Sequence, residues 1–367
     1  MQTNLEFITS KIYYPIDIYT DQTFIKGAQD NLKSQTDKLQ KARQVVIGDL
    51  HGNLNKALET MILSDLIKIP ETDLKKFYDL FADSTSYSDK AKIEAMIDCL
   101  QSIEWSDQNK SMIFIGDILA DRVGNDIVSL SFFEILRKAG ANIEVLVGNH
   151  DHACDFLNRE NANAIKLYSN SFSNACTFFE DSTSETQEQI INQYDNFFEN
   201  SKLILFNNSA KTLFVHASIR KLNFTTAVKL LKKLEIVNTD FELSCNSFLE
   251  FCDKLNKFYV DYKVNRKYQD QKYCIENKFL KSIDADGNRK SEGWLWAGEH
   301  WFESDNDYFL SLQIVKIVHG HDSDSKKSRF SPSYKNYKSD QFTVINLDNL
   351  QGKDNEYKNS SSPLYIL

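Results

Sequence analysis

Five short apolar runs in this chain end in residues that can bind or transfer charge: QVVIGDLHG, SMIFIGDILADR, IEVLVGNHD, TLFVHAS and IVKIVHGHD. The chain has seven histidines, and six of them (His51, His150, His152, His216, His319 and His321) stand in or beside those run ends. Carboxylate, amide oxygen and imidazole form the donor set for hard to borderline divalent ions such as Mn²⁺, Fe and Zn²⁺, whereas a thiolate set would point elsewhere. Any one of these histidines alone reads most simply as an ordinary core or surface imidazole. Five run ends offering Asp, Asn or His together point to a metal centre.

The elements that must position these donors follow from the pattern. Continuous β-rich runs bounded by glycine fit buried strands of a sheet covered on both faces, and open α/β sheets carry their chemistry at the carboxyl ends of their strands. At the end of the first strand Asp49 and His51 point to one face, because the period is two, and can grip one ion, while Gly48 and Gly52 let the backbone turn. Residues 53–66 and 125–139 repeat apolar residues at helical spacing and are predicted crossover helices. Residues 67–109, 152–201 and 221–290 are rich in Lys, Glu, Asp, Phe and Leu, poor in Gly and Pro, and are predicted as helical insertions that form a cap. Residues 322–340 read as loop, followed by a strand, QFTVINLD, and a polar C-terminal tail over 351–367. The whole of 1–367 is expected to be a single catalytic domain.

Composition narrows the function classes. The 367 residues carry a net charge of −9, which argues against a nucleic-acid scaffold, because phosphate backbones attract basic faces. No stretch approaches the about eighteen uncharged apolar residues of a membrane span. The N-terminus lacks a basic region followed by an apolar core, so a cytoplasmic site of synthesis is expected. Six cysteines at irregular spacing, with no CxxC pair, read as reduced structural thiols.

GDLHG, GDILADR, GNHD, VHAS and HGHD, in that order over residues 45–322, resemble the motif series of the calcineurin-like metallophosphoesterases. The arginine of ADR makes them more similar to the phosphoprotein phosphatase branch. The resemblance implies an α/β sandwich of two mixed β-sheets flanked by helices. It implies that Asp49, His51, Asp117 and His321 hold one ion, and that Asp117, Asn149 and His216 hold the other, with Asp117 bridging. Two divalent ions, Mn²⁺ first and Fe or Zn²⁺ otherwise, would sit about 3.5 to 4 Å apart, clamp phosphoryl oxygens and yield a bridging hydroxide for direct attack. Arg122 matches the phosphate-binding arginine, His150 the proton donor to the leaving oxygen, and Asp121 the carboxylate that orients it. Arg122, His150 and Asn149 are the expected substrate contacts. Asp121 and Arg122 also fit a helix-capping pair, while His152 and His300 read as structural. Gly320-His321 matches the last motif better than His319 does.

The chain departs from that pattern in places. Asp151 stands where the phosphatases read glutamate in GNHE, and Arg122-Val123-Gly124 replaces DRG. GWLWAGEHW resembles the segment that carries a second phosphate-binding arginine, yet Ala297 and Gly298 follow the tryptophan, so Arg220 or a cap lysine would have to supply that charge. GDILADRVGND is similar to the Wip-type phosphatase effectors of Legionella, which implies delivery into a host cell. The expected activity is phosphoprotein phosphatase, serine and threonine before tyrosine, on a phosphoprotein substrate; the aromatics of the insertions, such as Phe197, Phe198 and Tyr259, read first as the core of the cap and second as a docking surface for a host protein. Hydrolysis of a dinucleoside polyphosphate is the rival within the enzyme class, and a catalytically inactive binding module the rival outside it.

Overall fold

The computed structural model describes residues 16–19, 24–25, 32–120, 124–154, 170–281, 293–295, 305–321, 337–338, 341–348 and 362–367. Its strands are β1 (Ile16–Tyr19), β2 (Phe24–Ile25), β3 (Gln44–Ile47), β4 (Ile67–Lys68), β5 (Glu104–Trp105), β6 (Ser111–Phe114), β7 (Ile143–Leu146), β8 (Ser201–Lys202), β9 (Ile204–Asn207), β10 (Thr212–Val215), β11 (Lys316–His319), β12 (Tyr337–Lys338), β13 (Thr343–Asn346) and β14 (Ser362–Ile366). Its helices are α1 (Leu32–Lys41), α2 (Leu54–Leu63), α3 (Glu71–Ala82), α4 (Lys90–Leu100), α5 (Asp126–Lys138), α6 (Asn149–Ala153), α7 (Asn170–Glu180), α8 (Ser184–Glu199), α9 (Lys221–Lys233), α10 (Phe248–Lys263) and α11 (Asn306–Ser311). The chain divides into two compact units, one drawn from 1–144, 150–197 and 349–367, the other from 145–149 and 198–348.

In the first unit the strands run in the order β2-β1-β14-β3-β6-β7. β3 and β6 are parallel, with Ile47 opposite Phe114, so their C-terminal ends and the loops that follow emerge on the same side. Val45, Val46, Ile47, Met112, Ile113 and Phe114 are buried, as befits short β-branched and apolar runs in a sheet interior. Phe133 of α5 meets Phe114 edge-on at 4.9 Å and Phe197 of α8 at 5.7 Å. Helix α5 starts where Asn125 accepts the Ile127 amide at 2.8 Å, carries Asp126 in its first turn and ends on Arg137 and Lys138, so both ends suit its dipole. The segment 67–109 is helical, as its composition predicts, through α3 and α4, and the antiparallel β4–β5 pair brackets it. Helices α7 and α8 make up most of the described part of 152–201.

One expectation is corrected here. The end of the predicted polar tail is strand β14, antiparallel to β3 and parallel to β1, with Leu364 and Tyr365 fully buried. The five residues before the terminus are apolar enough to complete a sheet, and the polar stretch before them hides that signal.

In the second unit the end of β7 pairs in parallel with β8, Val145 with Ser201 and Leu146 with Lys202. A five-stranded mixed sheet follows, in the order β12-β13-β11-β10-β9, with β10, β11 and β13 parallel. Helix α10 is stitched to it by Asn256, whose Oδ1 accepts the Leu203 and Ile204 amides at 2.9 and 3.2 Å while its Nδ2 donates to the Ile204 carbonyl at 2.9 Å. Phe224 of α9 is the hub of an aromatic core: Trp294 lies at 5.6 Å, Phe251 at 5.7 Å, Phe309 at 5.8 Å and Tyr308 at 6.2 Å, centroid to centroid. A π-helical turn, Cys274–Leu280, closes against Gly293 so tightly that a side chain there would meet the Leu280 carbonyl at 2.5 Å. The helical reading of 221–290 meets α9, α10 and this turn; residues 282–290, and most of the predicted loop 322–340, lie outside the described residues. Among the described residues no helix is long and apolar enough to cross a membrane.

Candidate metal centre and active site

The first unit gathers Asp49, His51, Asp117 and His150. Strand β3 ends at Ile47, so Asp49 and His51 stand on the loop beyond it, and strand alternation is not what pairs them. A turn does that work: His51 itself is left-handed at φ 53° and Gly52 follows at φ 74°. Both side chains are fully buried, with His51 Nε2 3.9 Å from Asp49 Oδ2. The His51 amide donates to the Asp117 carbonyl at 2.8 Å, tying this loop to the one after β6. Lys56 of α2, also buried, donates from Nζ to the Asp49 carbonyl at 2.7 Å.

The loop after β6 is held by carboxylates. Asp117 is left-handed at φ 49° and Ala120 at φ 55°. The Ile118 and Leu119 amides donate to Asp151 Oδ1 at 2.7 and 2.6 Å, and the Ala120 amide to Asp126 Oδ2 at 2.9 Å. Asp117 Oδ1 in turn accepts the His150 amide at 3.0 Å, at the start of α6. The ring of half-buried His150 is oriented by the Ala120 carbonyl, 2.8 Å from Nδ1. A carbonyl only accepts, so in the neutral ring Nδ1 carries the proton and Nε2 is the accepting nitrogen. Asp121 and Arg122, the expected orienting carboxylate and phosphate-binding arginine, lie outside the described residues, as do His300 and the WAGEHW part of the tryptophan-rich segment.

The second unit gathers Asn149, His216 and His321. Asn149 and His150 are consecutive, so one peptide bond links the donors of the two units. Asn149 Oδ1 lies 3.0 Å from His216 Nε2, and both residues are buried. His216 follows β10 directly, and its carbonyl accepts the Gly320 amide at 2.8 Å, which fixes the end of β11 beside it. The His216 and His321 rings are 5.1 Å apart, with ligand-type atoms within 4.8 Å of one another. His321 is left-handed at φ 47°. His319 ends β11 with Nδ1 2.8 Å from the Gly320 carbonyl. Asp348, buried just past β13, offers a further carboxylate of the metal-binding kind. Sequence reading passed over it, although it ends an apolar run as the other donors do.

Buried carboxylates are costly unless hydrogen bonds or cations meet them. Backbone amides meet Asp126 and Asp151, a use that sequence spacing does not reveal. Asp49, His51 and Asp117 in one unit and Asn149, His216 and His321 in the other supply carboxylate, amide and imidazole donors just past strand ends, a set that fits Mn²⁺, Fe or Zn²⁺. Three of these six, His51, Asp117 and His321, are left-handed non-glycine residues, a costly conformation that the surrounding structure must hold.

Comparison with known proteins bears on what this arrangement is. The phosphatase domain of the Legionella effector WipB has a similar structure, with a TM-score of 0.52 and 18% identity, over 83% of this chain and 98% of that one. A cold-active protein tyrosine phosphatase aligns with a TM-score of 0.43 and 17% identity, over 94% and 79% of the respective chains. No curated protein matches. The sequence of residues 111–353 matches the family described as WipA-like, phosphatase domain, and since that is well over half its length, the chain belongs to this family of phosphatase domains.

Proposed function

We propose that this phosphatase is a metal-dependent phosphoprotein phosphatase with a calcineurin-like catalytic domain, into which the helical segments at 67–109, 152–201 and 221–290 are inserted. The observation that carries the reading is the placement of the six candidate donors: each closely follows a strand, and most are held there by backbone or side-chain hydrogen bonds within their own unit. Asp49, His51, Asp117 and His321 would hold one ion, and Asp117, Asn149 and His216 the other. When bound, two such ions polarise the phosphoryl group and lower the pKa of water toward neutrality, so that no phosphoenzyme is needed.

The remaining work falls to the chain's own side chains. Arg122 binds the phosphoryl oxygens, because a guanidinium is planar, permanently charged and able to donate two parallel bonds. His150, held through Nδ1 by the Ala120 carbonyl, delivers a proton from Nε2 to the leaving oxygen. Phosphoserine and phosphothreonine are the favoured substrates, with phosphotyrosine next. The family membership and the likeness to a Legionella effector domain support a substrate in a host cell, reached by secretion.

Phosphate release from matched phosphoserine, phosphothreonine and phosphotyrosine peptides and from a dinucleoside tetraphosphate, with Mn²⁺ or with chelator, tests the reading. Mn²⁺-dependent release from peptides is the expected result. Cleavage of the nucleotide alone would overturn the substrate, and release that ignores both Mn²⁺ and chelator would overturn the metal centre.

A further inference from the structure

The aspartate that ends GNHD is a departure from the phosphatase pattern that the mechanism leaves unused, and the structure gives it a task. The loop Asp117–Ala120 belongs to no strand or helix, so its amides need partners from elsewhere. Asp151, fully buried, takes two of them on one oxygen, at 2.7 and 2.6 Å from Ile118 and Leu119. Asp117 returns the bond, its Oδ1 accepting the His150 amide at 3.0 Å. Loop and helix are thus joined by carboxylates reaching in both directions, and Asp117 is kept in a left-handed conformation that an aspartate adopts only at a cost.

We propose that Asp151 is a positioning residue: through the Ile118 and Leu119 amides it sets where the Asp117 carboxylate stands, and so sets the affinity for the divalent ions. This rests on the metal-dependent reading above. The bonds are short and charge-assisted, so they leave no slack. A glutamate at 151 would put its carboxylate one methylene farther out and push the loop away from α6. An asparagine would keep an accepting oxygen but remove the charge that strengthens both bonds.

The test uses the full chain and p-nitrophenyl phosphate, titrating Mn²⁺ against wild type, Asp151→Asn and Asp151→Glu. The expected result is a half-activating Mn²⁺ concentration raised about ten- to a hundredfold in both variants, as for partners that orient metal ligands, with KM for the phosphate ester little changed and turnover largely restored at saturating Mn²⁺. An unchanged half-activating concentration, with activity lost only in proportion to unfolded protein, would overturn the proposal by making Asp151 merely structural. A wild type indifferent to Mn²⁺ and chelator would remove the metal centre and this role with it. Amide exchange in wild type reads the same clamp without substitution: strong protection at Ile118 and Leu119 is expected, and exchange at open-loop rates overturns it.

Discussion

The two units hold their donors by different means. In the first, Asp49, His51 and Asp117 sit on loops beyond the strand ends, two of the three left-handed, fixed by buried side chains: Lys56 on the Asp49 carbonyl, Asp151 and Asp126 on the amides after Asp117. In the second, His216 follows β10 without a break and shares a backbone bond with Gly320. Asn149, the first residue of α6, meets the His216 ring directly. The first arrangement depends on buried charge and the second on strand register. Supporting residues in the first unit are therefore exposed to single charge-removing substitutions, whereas the second is upset chiefly by loss of a donor or of the core beneath it.

Removing one donor from each unit asks whether the two sets serve one centre, and carries the largest expected effect. Asp49→Ala and Asn149→Ala are each expected to strip bound metal and bring phosphate release to the level seen with chelator, measured as metal content of desalted protein alongside activity. Full metal content in either variant would separate the two sets. His150→Ala comes next. It should keep its metal yet lose about 10²- to 10⁴-fold in turnover of phosphopeptides, with a smaller loss on p-nitrophenyl phosphate, whose leaving group needs no proton. Equal loss on both substrates would count against His150 as the proton donor.

Core substitutions test the packing of each unit. Phe133→Ala in the first and Phe224→Ala in the second should each cost about 3–5 kcal/mol in denaturant unfolding, since each ring is fully buried among aromatic neighbours. A cost below about 1 kcal/mol at either site would show that the cavity collapses there. The smallest effect is alkaline. Burial first, and then a nearby aspartate, push Tyr87 in the first unit and Tyr308 in the second up to about 12. A raised phenol pKa leaves stability unaffected below the ordinary value near 10 and removes it as pH rises from there toward 12. Ultraviolet titration should show these two phenols ionising late, and Tyr87→Phe or Tyr308→Phe should flatten the alkaline loss of stability. Phenols that all titrate near 10 would refute the burial of both.

Much of the fold was legible because it is locally encoded. The runs QVVI, SMIF, IEVL, TLFV and TVIN form β3, β6, β7, β10 and β13, and the periodic stretches at 53–66 and 125–139 contain α2 and α5. Strand β14 was not legible, because the polar stretch before it masks its short apolar run, and it owes its place to pairing with β1 and β3. Asp49 and His51 were correctly singled out as neighbours, but the stated reason fails, since β3 stops at Ile47 and the left-handed turn at His51 brings them together.

The sequence by itself determined the residue types of the candidate donors and their location at the run ends, because residue type and short-range β pattern are properties of adjacent residues. Only the tertiary structure decided how those donors are held. Asp151 reaches amides 33 and 32 residues away, and the Ala120 carbonyl orients a ring 30 residues along the chain. Contacts at that separation are fixed by strand order and loop conformation, which no local spacing encodes.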